Sequence, residues 1–165
     1  TESALGLGSM MYYIFVYVVS NLAVFGVISA IENKTGKVGM DDYDGLHKSN
    51  PWLSFAMTLA MFSLAGIPPF AGFFSKFLIF TSVTASGSMP LYMLVLVALI
   101  NTIISLYYYL LVVKAIWINP GEAKVEAFRS AFTERLALWL CVGGIVFFGL
   151  VPCIYDYCVN TATLL

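Results

Sequence analysis

Long apolar stretches alternate with short polar ones along the chain, and four of the apolar blocks are long enough to cross a membrane. The first, about residues 10–31 (MMYYIFVYVVSNLAVFGVISAI), would rise at ~1.5 Å per residue through the ~30 Å of hydrocarbon in a bilayer. The second runs over 52–86, the third over 90–118 and the fourth over 136–158. The pattern predicts an all-α membrane protein with four transmembrane helices in a single membrane domain, 1–165.

The second block departs from the others. As one straight helix it would be roughly 50 Å long, more than the bilayer core needs. Gly66, Pro68 and Pro69 fall near its middle, in the run GIPPF. Each proline lacks a backbone donor and clashes with the preceding turn, so the helix is expected to be discontinuous at Gly-Ile-Pro-Pro. Backbone freed at that depth is tolerated where it is buried in protein or lines a hydrated cavity. A proline kink with only a packing role is the alternative at these residues.

Composition agrees with the pattern: 61% of the 165 residues are hydrophobic and only 10% are charged. A soluble domain carries roughly 25% charged residues, so lipid and other apolar protein surfaces are the expected neighbours. A net charge of −1 leaves no basic patch for nucleic acid. Cys141, Cys153 and Cys158 show no metal-binding or disulfide-scaffold spacing and read as small apolar fillers, with Cys153 and Cys158 near a span end open to redox chemistry. No dinucleotide fingerprint, phosphate loop, haem or cluster ligand set, or nucleophile and base pair is present, so neither cofactor nor metal is expected in this chain. GLGSM at 6–10 lacks the strand a dinucleotide site requires. The opening TESALGLGSMM has neither an initiator Met nor a basic region, so it reads as the middle of a longer polypeptide rather than a signal peptide.

Charge orients the blocks. Lys34, Lys37 and Lys48 lie in the loop 32–51, and Lys114, Lys124, Arg129 and Arg135 lie in or beside the segment 114–135. The other ends carry only Glu2, the uncharged ASGSMP and Asp156. By the positive-inside rule both basic loops face the cytoplasm or the mitochondrial matrix, and both termini of this chain face the opposite side. The acids Asp41, Asp42 and Asp44 lack calcium-loop spacing and read as a solvated loop. His47, in the same loop, reads as a surface polar residue, with a proton relay as the alternative. The stretch PGEAKVEAFRSAFTERLALW places Val125, Phe128 and Phe132 three or four apart and predicts an amphipathic interfacial helix or a helical lead into the last span.

One charge falls inside a span. Lys76 lies about ten residues from the Ala85-Ser86-Gly87 turn, which puts it ~15 Å along a helix. A lysine stem reaches only about 6 Å, too little to snorkel from there. Holding the amine at that depth costs at least ~2.5 kcal/mol, and such residues usually face a bundle interior or a hydrated path. Low hydration penalises the charged form, which suits the amine to taking up and releasing a proton. The alternative is a fixed ion pair with a carboxylate on a neighbouring subunit. Ser75, Asn101, Ser105 and Tyr108 form a candidate polar path beside it, although most tyrosines in such blocks anchor or pack.

SLAGIPPFAGFFSKFLIF, preceded by YVVSNLAVFGVIS and MDDYDGLHKSNPWLSF and followed by NTIISLYYYLLVVK, resembles the C-terminal part of the antiporter-like subunits of respiratory complex I. The resemblance is greatest to the N-type, the NADH dehydrogenase subunit 2 family. The L-type usually has an acid after the lysine, where Phe77 stands, and the M-type usually has glutamate in place of Lys76. The resemblance implies a proton-translocating subunit of NADH:quinone oxidoreductase with Lys76 on the second discontinuous helix of the family, as part of the proton path. It implies that NADH, FMN, iron–sulfur clusters and quinone act elsewhere in the complex. The partners it implies are other membrane-arm subunits and a chain or segment carrying the N-terminal helices, which this sequence lacks. The membrane it implies is a bacterial inner or mitochondrial inner membrane. A subunit of a multisubunit Na+/H+ antiporter or membrane hydrogenase, or a structural membrane-arm element, stands as the alternative.

Overall fold

The computed structural model describes residues 2–85, 87–119, 122–151 and 153–164, and every regular element among them is helical. Helix α1 (Glu2–Thr35) is the longest, at 34 residues or about 51 Å. After a 3₁₀ turn (Met40–Tyr43) and a single helical turn, α2 (Leu46–Ser49), come α3 (Pro51–Ala65) and α4 (Ala71–Thr84). Then follow α5 (Met89–Trp117), α6 (Phe132–Leu150) and the short α7 (Cys153–Ala162).

Among the described residues, α1, α5 and α6 are long and apolar enough to cross a membrane. Helices α3 and α4 have 15 and 14 residues, each too short to cross alone. Helix α1 extends beyond the expected 10–31 at both ends, while α5 matches the expected third block to within one residue. Ser86, the expected end of the second block, lies outside the described residues, as do Pro120 and Gly121 at the start of the expected interfacial helix.

The expected fourth span, 136–158, is not one helix. Helix α6 starts earlier and stops at Leu150, and α7 is separate. Val151 is extended (φ −122°, ψ 113°), the conformation that a following proline imposes on its neighbour, and Pro152 follows in the sequence. Helix α7 lies against α1: a Cβ on Gly8 would come within 2.8 Å of the Val159 backbone.

Helix α1 is the spine, touching α3, α4, α6 and α7. Its core face of Ala23, Val27 and Ile31 packs with Ala56 and Ala60 of α3 and with Leu138, Val142 and Ile145 of α6. The small residues let backbones approach closely, which is how apolar helices gain contact where lipid is as apolar as leucine. Polar side chains in these helices bond their own backbone: Ser9 Oγ to Leu5 O, Asn21 Nδ2 to Tyr17 O and Thr102 Oγ1 to Ala98 O. At the other end of the core Tyr12 donates to Phe148 O at 2.6 Å. Most of α5 is exposed, with only Val95, Ala115 and Ile116 buried.

The two basic loops interlock, which places them at one end of the bundle. Lys124 pairs with Asp44 at 2.9 Å, and Asn119 donates to the same carboxylate at 2.6 Å. These two bonds hold the Asp44 carboxyl below the usual range. Lys37 Nζ donates to Lys124 O. The expected helical lead into the last span is met from Phe132, where α6 begins, while residues 122–131 form no helix, so the alternative, an amphipathic interfacial helix, is absent there. Tertiary bonds have replaced the helical ladder there. Buried Asn50 donates through Nδ2 to Glu126 O (3.1 Å) and accepts from Phe128 N (3.2 Å) on Oδ1, while Val125 inserts into the core with 1% exposure. Asn50→Ala is therefore expected to cost about 1–3 kcal/mol by orphaning these backbone groups. A lower melting temperature and faster protease cleavage within 122–131 are the checks; an unchanged cleavage pattern would show that Asn50 does not hold the loop.

His47 is not the free surface residue expected. Its Nδ1 lies 2.6 Å from Ile116 O and its ring stacks on Trp117 at 5.0 Å, so it ties α2 to the end of α5.

Candidate functional site

The residues between α3 and α4 decide the geometry around Lys76. Helix α3 ends in a Schellman motif: Gly66 N–H donates to Ser63 O (3.0 Å) and Ile67 N–H to Phe62 O (3.0 Å). Gly66 sits at φ +80°, a left-handed conformation that costs a residue with a Cβ roughly 1–2 kcal/mol. Pro68 and Pro69 follow, joined by a cis peptide, and Phe70 is extended before α4 starts at Ala71. The prolines stand where α3 has already stopped, so neither removes a bond from a continuing helix.

Helix α4 starts beside the last turn of α3 and runs on past it: Phe62 meets Phe70, Ser63 meets Gly72 and Gly66 meets Lys76. At the crossing Gly72 is so close to Ser63 that a Cβ would lie 1.7 Å from the Ser63 carbonyl oxygen. Gly72 N–H donates to Ser63 Oγ (3.2 Å), which shares a 2.9 Å hydrogen bond with Ser20 Oγ of α1. Ser75 Oγ donates to Gly72 O. Ser20, Ser63 and Ser75 are all buried, forming a polar seam through three helices. The other side of the break rests on α6, where a Cβ at Gly149 would meet Pro69 O at 2.4 Å.

Lys76 reaches back across this seam. Its Nζ donates to Leu64 O at 2.8 Å, taking a carbonyl that the Schellman bonds leave open. The cation stands at the C-terminal end of α3, where the helix dipole is negative. In this chain the side chain is half-buried rather than enclosed. It lines a cavity of about 150 Å³ together with Tyr13, Tyr17, Ser63, Ser75 and Asn101. It also borders two further openings between α4 and α5, of about 190 and 340 Å³.

Of the residues singled out in the sequence, Lys76, Ser75, Asn101 and Ser105 line the 150 Å³ cavity, and Gly66 and both prolines form the turn beside it. Tyr108 does not line it; that residue is 61% exposed, and Tyr109 lines the cavity instead, with Thr102. The spacing offered this signal, since Asn101, Ser105 and Tyr109 fall four apart on one helical face. Ser63 and Gly72 were missed because their importance arises from a crossing of three helices. Among the described residues no cluster of His, Cys, Asp and Glu is arranged to hold a metal. The three cysteines are free.

Comparison with known proteins gives a consistent set of likenesses. Residues 1–105 match the family model described as NADH:quinone oxidoreductase/Mrp antiporter, transmembrane. A protein of Phocaeicola vulgatus named NADH-quinone oxidoreductase subunit N is 54% identical over 159 residues, covering 96% of this chain and 33% of that protein. A protein of the same name from Azobacteroides pseudotrichonymphae is 47% identical, covering 94% of this chain and 32% of its own length. A chain in respiratory complex I from Thermus thermophilus with bound aureothin superposes with a TM-score of 0.74 at 28% identity, covering 92% of this chain and 35% of that one. The chain thus spans about a third of the length of the curated relatives it matches.

Proposed function

The chain belongs to the NADH:quinone oxidoreductase/Mrp antiporter transmembrane family, and on that premise we propose that it serves in proton translocation as part of an N-type antiporter-like subunit of respiratory complex I. In this reading α3 and α4 together make one broken span, the second of four, with Gly66, Pro68 and Pro69 as the break. Lys76 is the proton carrier, and Ser75, Asn101 and Ser105 belong to its polar path. Other membrane-arm subunits and the helices found in the rest of the relatives' length enclose the half-buried amine. Redox chemistry takes place elsewhere in the complex. The basic loops face the cytoplasm or matrix, and both ends of this chain face the opposite side of a bacterial inner or mitochondrial inner membrane.

The observation that carries this reading is the placement of one amine. Lys76 reaches a polar cavity at the point where two short helices meet, and among the described residues its amine bonds a helix-terminal carbonyl. Among the described residues no carboxylate lines that cavity, so the reading does not rest on a fixed ion pair there. A cation kept at such depth without a fixed partner is suited to exchange its proton.

The family model also covers the Mrp antiporters, so sodium exchange is the second reading. Proteoliposomes carrying the assembled complex separate the two: protons moved per NADH oxidised are expected to be the same in sodium-free and sodium-containing medium. Proton movement that requires sodium and scales with it would favour antiport and overturn the assignment.

A further inference from the structure

At the basic end, between the first turns of α3 and α6, lies a second cavity, of about 390 Å³. Arg129 and Arg135 stand on its wall with the hydroxyl-bearing Ser49 and Ser130, and among the described residues no carboxylate lines it. Both arginines are exposed, and among the described residues neither is in an ion pair. Glu134, next to Arg135, spends Oε2 on the Ala131 N–H, and Glu126, three residues before Arg129, is not among the lining residues.

Further donors converge on the same place. Helix α3 starts with no side-chain cap, because Asn50, at the capping position, commits its amide to Glu126 and Phe128. The first-turn N–H groups of Trp52 and Leu53 therefore lack the partner that a cap would supply. Two guanidiniums and an uncapped helix N-terminus favour one kind of guest, an anion with several acceptor oxygens.

The surroundings indicate what that anion is attached to. Arg135 and Trp139 are four apart on α6 and so share a face. Trp139 stacks on Trp52 at 4.1 Å, and Leu136, Trp139 and Leu140 are exposed. Paired tryptophans at the end of an apolar helix mark the headgroup level of a bilayer. We propose that this cavity binds the phosphate of an anionic phospholipid, with the headgroup between Arg129 and Arg135 and the acyl chains along the exposed α6 surface. The proposal rests on α6 crossing the membrane and is independent of the role of Lys76.

The test is native mass spectrometry of the full-length subunit in mild detergent, titrated with phosphatidylglycerol, phosphatidylcholine or inorganic phosphate. Wild type should retain phosphatidylglycerol in preference to phosphatidylcholine, and Arg129→Gln with Arg135→Gln should weaken phosphatidylglycerol binding roughly tenfold or more. Lys114→Gln removes one charge from exposed α5 away from the cavity and should change nothing. Equal binding of the two lipids, an equal loss in Lys114→Gln, or binding of inorganic phosphate without lipid would each overturn the proposal.

Discussion

Lys76→Met in the full-length subunit is expected to reduce proton flux through it by roughly 10²-fold or more, the range that a positioned proton-transferring side chain supplies. Methionine keeps the length and bulk of the stem but has no proton to exchange. Leu64 O loses its partner, at about 1–3 kcal/mol, while the cost of holding an amine at that depth disappears. The variant should therefore still assemble, as a native gel would show, and lose proton uptake in proteoliposomes. Lys76→Arg makes the prediction sharper. Guanidinium preserves the charge but does not release its proton in proteins, so it should pump as poorly as methionine. If arginine pumps like lysine, the amine acts as a fixed charge and is not a carrier.

The second large effect is structural. Gly72→Ala puts a methyl group 1.7 Å from the Ser63 carbonyl oxygen and 2.6 Å from its carbon. Both are backbone atoms, so no rotamer change relieves the clash. Helices α3 and α4 would have to part by about 1 Å or more, breaking the Gly72 N–H to Ser63 Oγ bond and loosening Ser20 with it. A loss of about 4 kcal/mol or more is expected, in the class of severe core disruptions. The subunit should be missing from assembled complexes or melt far below wild type. Gly143→Ala on α6 is the matched control, since its Cβ would meet nothing within 4 Å. Equal stability of the two variants would mean that the helices do not cross as described.

How legible these features were in the sequence depended on how local their causes are. The apolar block over α5 could be read to within one residue because helix length in lipid follows from hydropathy, whereas α1 runs past its block at both ends. The division of α6 from α7 was also local: Pro152 was there to be read, but continuous apolarity on both sides hid it. The irregular 122–131 segment was not readable. Its helical spacing is real, but Asn50, 76 residues away, takes the backbone group at Glu126. A propensity that weak yields to tertiary bonding. The choice of Tyr108 over Tyr109 failed for a different reason, since one residue turns a helix by about 100° and a cluster of tyrosines does not reveal its own rotation. Lys76 stood out as a charge in apolar sequence, yet its bond to Leu64 O depends on α4 starting beside the last turn of α3, which no spacing announces.

The bond from Lys76 to Leu64 O has a consequence for any cycle in which the lysine changes charge. An ammonium has three N–H donors, and the neutral amine left after deprotonation still has two. The carbonyl can therefore stay satisfied through both halves of the cycle, and the side chain need not swing away to give up its proton. What changes is the pull between the cation and the negative end of α3, which weakens when the charge is gone. The tether is thus constant in geometry and variable in tension, so proton occupancy can be felt by α3 as a force along its axis without a moving arm.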